Sequence, residues 1–171
     1  PFAVMFLLPA SLETYAVSVL SILTFVSNVW FLMQEGSYWA QPAELMLFLY
    51  LWSLAIEEQF YLIFPVILVV SERVLKLNPL WVVITIALFS LLWAHHLSAV
   101  SPDQSFFLLH TRAWELCAGC ILAFLEMKHS RPKLSWYTNT LVAMSLVIIA
   151  VSFLVFTKNT LHPSFFTLIP I

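Results

Sequence analysis

Long apolar stretches separated by short polar joints run the length of the chain. Five of them, residues 14–33, 43–70, 79–100, 105–127 and 134–157, are at least as long as the roughly 20 residues a helix needs to cross about 30 Å of hydrocarbon. The alternating pattern of a barrel strand is absent. In hydrocarbon each backbone donor and acceptor must be bonded within the protein, so the pattern predicts helices. The expectation is an all-α, polytopic transmembrane helix bundle forming a single membrane domain over residues 1–171. It has about four complete spans, a partial first helix ending near residue 13, and a further segment starting at 160–171.

The polar joints set an orientation. Glu72, Arg73 and Lys76 follow the second stretch, and Lys128, Arg131 and Lys133 follow the fourth. The joint at Asp103 carries no Lys or Arg, and the joint from Glu35 to Glu44 is acidic. By the positive-inside rule the two basic joints face the cytoplasm. Lys158, on the outer side, is a minor exception. If residues 1–13 end a span at the outer face, residues 14–33 must start and finish outside. They then form a re-entrant element with Ser27 and Asn28 at its turn; the alternative is one ordinary span starting inside near Glu13.

Composition agrees with a membrane protein. The chain is 62% hydrophobic and 9% charged, against about a quarter charged in soluble domains. Its first residues lack the basic region and cleavage site of a signal peptide, and both ends read as lying inside longer apolar segments. A net charge of −2 without a basic patch gives no reason to expect nucleic acid. Cys117 and Cys120 form one C-x-x-C, but without a second pair they suggest helix packing rather than a metal site. His95 and His96 are adjacent, so they do not face each other, and no metal site is expected.

Ionisable residues within the apolar stretches carry the candidate chemistry. A charged group at the bilayer centre costs about 2.5–3.5 kcal/mol on insertion scales and is a functional hypothesis by default. Glu57 and Glu58 lie in LWSLAIEEQFYLIFP, and Arg112 and Glu115 lie in HTRAWELCAGC. Counted from Glu44 and Asp103 at about 1.5 Å per residue, Glu57 lies roughly 20 Å along its helix, Arg112 roughly 13 Å and Glu115 roughly 18 Å. Helical spacing puts Ser53, Glu57, Phe60 and Tyr61 on one stripe, with Leu54, Glu58 and Leu62 on the next. Arg112 and Glu115 share a face, Gly119 offers close approach to a neighbouring helix, and Pro65 predicts a kink below the carboxylates. Three acids against one Arg leave excess negative charge. Protonation, cationic partners from elsewhere, or water would balance it, and each describes a polar cavity that Trp52 and Trp114 are placed to line.

The run Leu51-Trp52-Ser53-Leu54-Ala55-Ile56-Glu57-Glu58-Gln59-Phe60-Tyr61-Leu62, with Phe25-Val26-Ser27-Asn28 and Gly36-Ser37-Tyr38 before it and Thr111-Arg112-Ala113-Trp114-Glu115-Leu116 with Gly119 after it, resembles the acyltransferase-3 family of bacterial membrane O-acyltransferases. The resemblance covers residues 1 to about 125. It implies about ten spanning helices in the bacterial inner membrane and transfer of an acyl group, commonly acetyl, from a cytoplasmic donor such as acyl-coenzyme A. The implied acceptor is a hydroxyl of a cell-envelope carbohydrate such as lipopolysaccharide or exopolysaccharide. The family's catalytic His and its Arg-x-x-Arg motif belong before Pro1, and where relatives carry His-Thr this chain has Tyr50-Leu51.

On this basis Glu57 and Glu58 are the candidate catalytic carboxylates, supporting or orienting that His. Trp52, Ser53, Tyr61, Arg112 and Glu115 are candidate substrate-binding residues. No bound cofactor or metal is expected; the partners are the bilayer, the acyl donor and the carbohydrate. The rival reading is a proton- or ion-coupled transporter, since intramembrane carboxylates also mark ion paths. Its spans are often interrupted by Gly, and this chain has only two.

Overall fold

The structure, a computed structural model, describes residues 9–35, 48–128, 136–156 and 162–169. Expectations for residues 1–8, for the acidic joint with Glu44, for the basic joint with His129, Arg131 and Lys133, and for Lys158 lie outside them. The described residues are helical, with no strand among them. In chain order they form α1 (Pro9–Leu23), α2 (Ser27–Glu35), a 3₁₀ turn (Leu49–Leu51), α3 (Trp52–Val69) and a π turn (Val70–Val74). There follow α4 (Pro79–Val100), α5 (Pro102–Phe107), α6 (Leu109–Lys128), α7 (Trp136–Val155) and a 3₁₀ turn (Phe165–Leu168).

Among the described residues two stretches, Leu49–Val74 and Pro79–Val100, are long and apolar enough to cross a membrane. The second has well-marked ends. Asn78 caps α4 by accepting from the Leu80 amide at 3.0 Å, with Pro79 in the first turn, the position where a missing N–H costs nothing. Ser101, pushed from helical geometry by Pro102, ends it. The first stretch runs on to Val74 instead of stopping at residue 70, because a π turn adds five residues. Helix α3 stays continuous through Pro65.

Two expected segments are interrupted. Residues 14–33 are not one helix: α1 and α2 are joined through Thr24, Phe25 and Val26, with Phe25 at φ 56°. Val17 and Met33 nevertheless line one apolar cavity of about 350 Å³. A straight helix would hold those two residues about 24 Å apart, so α2 folds back along α1. The segment 105–127 is likewise broken at Leu108, between α5 and α6.

The molecule divides into two compact units, Pro1–Pro65 with Phe107–Leu109, and Val66–Phe106 with His110–Ile171. In the first, α3 packs through Trp52, Ala55, Ile56 and Phe60, spaced three, four and eight apart as one helix face requires. The Trp52 ring meets Phe107 edge-on at 5.2 Å, and Phe60 stacks on Phe64 at 4.6 Å. In the second unit Leu91, Ala94 and Trp114 form a core against which Ala87 packs.

Candidate functional site

The polar residues of the first unit are built around the break between α1 and α2. Asn28 is 1% exposed, and a buried amide must have its donors and acceptor met. Its Nδ2 donates to the Phe107 carbonyl at 3.0 Å, and its Oδ1 accepts from Gln59 Nε2 at 3.0 Å. Gln59 also donates to the Phe25 carbonyl at 2.6 Å, and Ser27 Oγ donates to the Leu51 carbonyl at 3.4 Å. This clasp fixes the face of α3 that looks inward. Gln59 was not singled out from sequence because the adjacent carboxylates dominate that stretch; the signal was its spacing of three from Ile56 and seven from Trp52, both apolar.

With that face fixed, Glu57 is turned outward and exposed, and Glu58 is half-buried. Among the described residues neither side chain has a hydrogen-bond or ion-pair partner. Tyr61, one turn on from Glu57, is 59% exposed. Ser53, one turn before it, is half-buried and donates back to the Tyr50 carbonyl at 3.4 Å. Phe60 does not share their exposed stripe as expected: it belongs to the buried face. Trp52 is packed against Phe107 and buried.

Arg112 and Glu115 belong to the second unit, on α6. Their three-residue spacing does bring them together: Nη2 of Arg112 lies 3.4 Å from Glu115 Oε2, with 17% and 24% of the two side chains exposed. The guanidinium carbon lies 5.3 Å from the Phe106 ring centre, within the range of a cation–π contact. A residue the sequence did not flag completes this group. His162 Nε2 is 3.2 Å from Arg112 Nη2, and fifty residues of separation hid it.

The α6 turn that carries this group is anchored by hydroxyls. Ser90 Oγ donates to the His110 carbonyl at 2.7 Å and accepts from the Trp114 amide at 3.1 Å. Thr111 Oγ1 donates to the Ser105 carbonyl at 2.7 Å. His110 is exposed and contributes its carbonyl to this scaffold. Glu115 Oε1, Trp114 Nε1 and His95 Nδ1 are buried without a hydrogen-bond partner among the described residues. A carboxylate oxygen held beside a guanidinium and left unbonded is an acceptor suited to a hydroxyl donor. Gly119, expected to admit a neighbouring helix, faces open space: a Cβ there meets nothing within 4 Å.

The chain is similar to several bacterial O-acetyltransferases. It is 40% identical over 109 residues to the peptidoglycan O-acetyltransferase OatA of Listeria monocytogenes, covering 59% of this chain and 17% of the relative. A Staphylococcus aureus protein provisionally named as an O-acetyltransferase is 31% identical over 83% of this chain and 25% of its own length. YrhL of Bacillus subtilis, provisionally named as a peptidoglycan O-acetyltransferase, is 32% identical over 83% and 24%. The chain therefore spans a quarter or less of the length of these curated relatives. No family model and no solved structure matches it. These relatives are all named as acyltransferase enzymes.

Proposed function

We propose that the complete protein is a multi-pass membrane O-acetyltransferase that moves an acetyl group from a cytoplasmic acyl-coenzyme A to a hydroxyl of the cell envelope. The names of two relatives favour peptidoglycan as the acceptor over lipopolysaccharide or exopolysaccharide. Membrane insertion is supported by apolar side chains exposed on α3, α4 and α7, including Leu62, Val66, Phe89, Leu92, Leu146 and Leu154. A soluble chain seldom leaves so much apolar surface in water. The fold-back of α1 and α2 supports the re-entrant solution for residues 14–33.

The observation that carries the functional reading is the Arg112–Glu115 pair with its unbonded Glu115 oxygen. Glu115 accepts a hydrogen bond from a neighbouring hydroxyl of the acceptor and so orients it, and Arg112 presents positive charge to the carbonyl oxygen as negative charge develops on it. Such electrostatic stabilisation is commonly the largest single contribution to acyl transfer. The hydroxyl oxygen bonds to the acyl carbon, the carbon–sulfur bond breaks, and the thiol leaves with a proton. Glu57 and Glu58 support the base that removes the hydroxyl proton, a histidine of a preceding helix.

The test is the acetate released by mild base from peptidoglycan of cells expressing the complete protein. Wild type should raise it above the empty-vector level, while Arg112→Lys and Glu115→Gln should each reduce the gain at least about tenfold, Lys lacking the planar fork of donors. Unchanged acetate in all three strains would refute the reading.

A further inference from the structure

The segment 162–169, itself part of the second unit, packs against α4, α5 and α6. The Phe165 ring lies 4.4 Å from the His95 ring of α4. The His162 ring approaches Phe106 edge-on at 6.1 Å and places Nε2 3.2 Å from Arg112 Nη2. The segment's own turn is closed by Thr167, whose Oγ1 accepts from the Ser164 amide at 3.1 Å and donates to the Ser164 carbonyl at 2.7 Å. It is therefore a folded element that brings one imidazole to the guanidinium.

The chemistry of the contact fixes the state of that imidazole. Arginine has only donors, so His162 Nε2 must offer a lone pair, which requires a neutral ring with its proton on Nδ1. We propose that His162 is a positioning residue for the transfer site: its neutral Nε2, with Glu115 Oε2, holds Arg112 Nη2 while Phe106 lies against the guanidinium. This inference rests on the acetyl-transfer reading. Burial of the ring, and then the charge of Arg112, hold its pKa below the ordinary 6.5, which keeps the accepting form at neutral pH. Among the described residues the charged groups around it are Arg112 and Glu115 of α6; Phe165 of the same segment packs on the titratable His95 of α4, and α5 presents the uncharged Phe106. Protonation of His162 replaces an accepted hydrogen bond with repulsion between two cations.

Glutamine places an acceptor near the position of Nε2, whereas phenylalanine keeps the ring and has none. In membranes carrying the complete protein, His162→Phe should lower acetyl transfer about three- to tenfold, the range of one hydrogen bond. His162→Gln should restore most of it and remove the loss of activity that wild type shows as pH falls below the ordinary histidine value. Equal activity and equal pH profiles in wild type and His162→Phe would overturn the proposal, as would a Gln variant as impaired as the Phe variant. A second measurement does not need the reaction. Carbethoxylation of His162 by diethyl pyrocarbonate, followed by mass spectrometry at pH 7.5, should be severalfold faster in Arg112→Met than in wild type, because Arg112 no longer covers Nε2. Equal rates would sink the proposal even in a protein that transfers acetyl groups; faster modification in a protein that transfers none would sink the transfer reading alone.

Discussion

Glu57 and Arg112 are both ionisable groups in apolar helices, but their surroundings assign them different sensitivities. Glu57 faces outward and Glu58 is half-buried, with no polar partner for either among the described residues, so the fold owes their charge little. Arg112 is tied to Glu115, His162 and Phe106. Glu57→Gln and Glu58→Gln in the complete protein should each lower acetyl transfer by roughly a hundredfold, the low end of what acid–base groups contribute, while stability stays within about 0.5 kcal/mol of wild type. Transfer rates in membranes and detergent melting curves together check this; wild-type rates with a lowered melting temperature would make the carboxylates structural instead. The pairing of Arg112 with Glu115 was legible because three residues on a helix are neighbours in space. His162 was not, because nothing local links positions fifty apart.

At the scale of elements, the apolar run 79–100 was readable to the residue, since Asn78-Pro79 and Ser101-Pro102 are start and stop signals with a steric cause. The runs 14–33 and 105–127 were not, since neither Phe25 nor Leu108 is a residue that breaks helices by itself. Their breaks are held by distant groups. Asn28 meets the Phe107 carbonyl beside the second break, and Gln59 meets the Phe25 carbonyl within the first. Asn28→Ala would remove one hydrogen bond to the Phe107 carbonyl and one of the two made by Gln59, at a residue that is 1% exposed. It should therefore destabilise the complete protein by about 1–3 kcal/mol, two buried hydrogen bonds at roughly 0.5–1.5 kcal/mol each, read as a lower melting temperature in detergent. Gly119→Ala should do the opposite. Its Cβ meets no atom, and alanine is favoured over glycine in a helix by about 1 kcal/mol, so an equal or higher melting temperature is expected. A marked loss in that variant would mean another helix packs on Gly119 in the complete protein, as the sequence suggested.

For the whole molecule the open question is which side of a bilayer each joint faces, and the side chains already divide the possibilities. A helix of 15 residues followed by one of 9 reaches only about 22 Å and 14 Å in its separate parts. Neither part alone matches a hydrocarbon core of about 30 Å. Because Val17 and Met33 line one cavity, the two helices do not add their lengths, and the ends of this element should emerge on one side. Single cysteines at Glu13 and Gln34, in a background with Cys117 and Cys120 replaced by serine, should both react with a membrane-impermeant maleimide applied to intact cells stripped of wall. A cysteine at Asp103 should react as well, whereas one at Arg73, in the π turn that ends Leu49–Val74, should react only after the membrane is opened. Labelling of Glu13 from the inside and Gln34 from the outside would restore the single ordinary span starting inside near Glu13. Because Gln34 lies outside in either case, the direction of α3 rests on Arg73: its labelling from outside would turn the basic joint away from a donor arriving from the cytoplasm and overturn the proposed face of acyl supply.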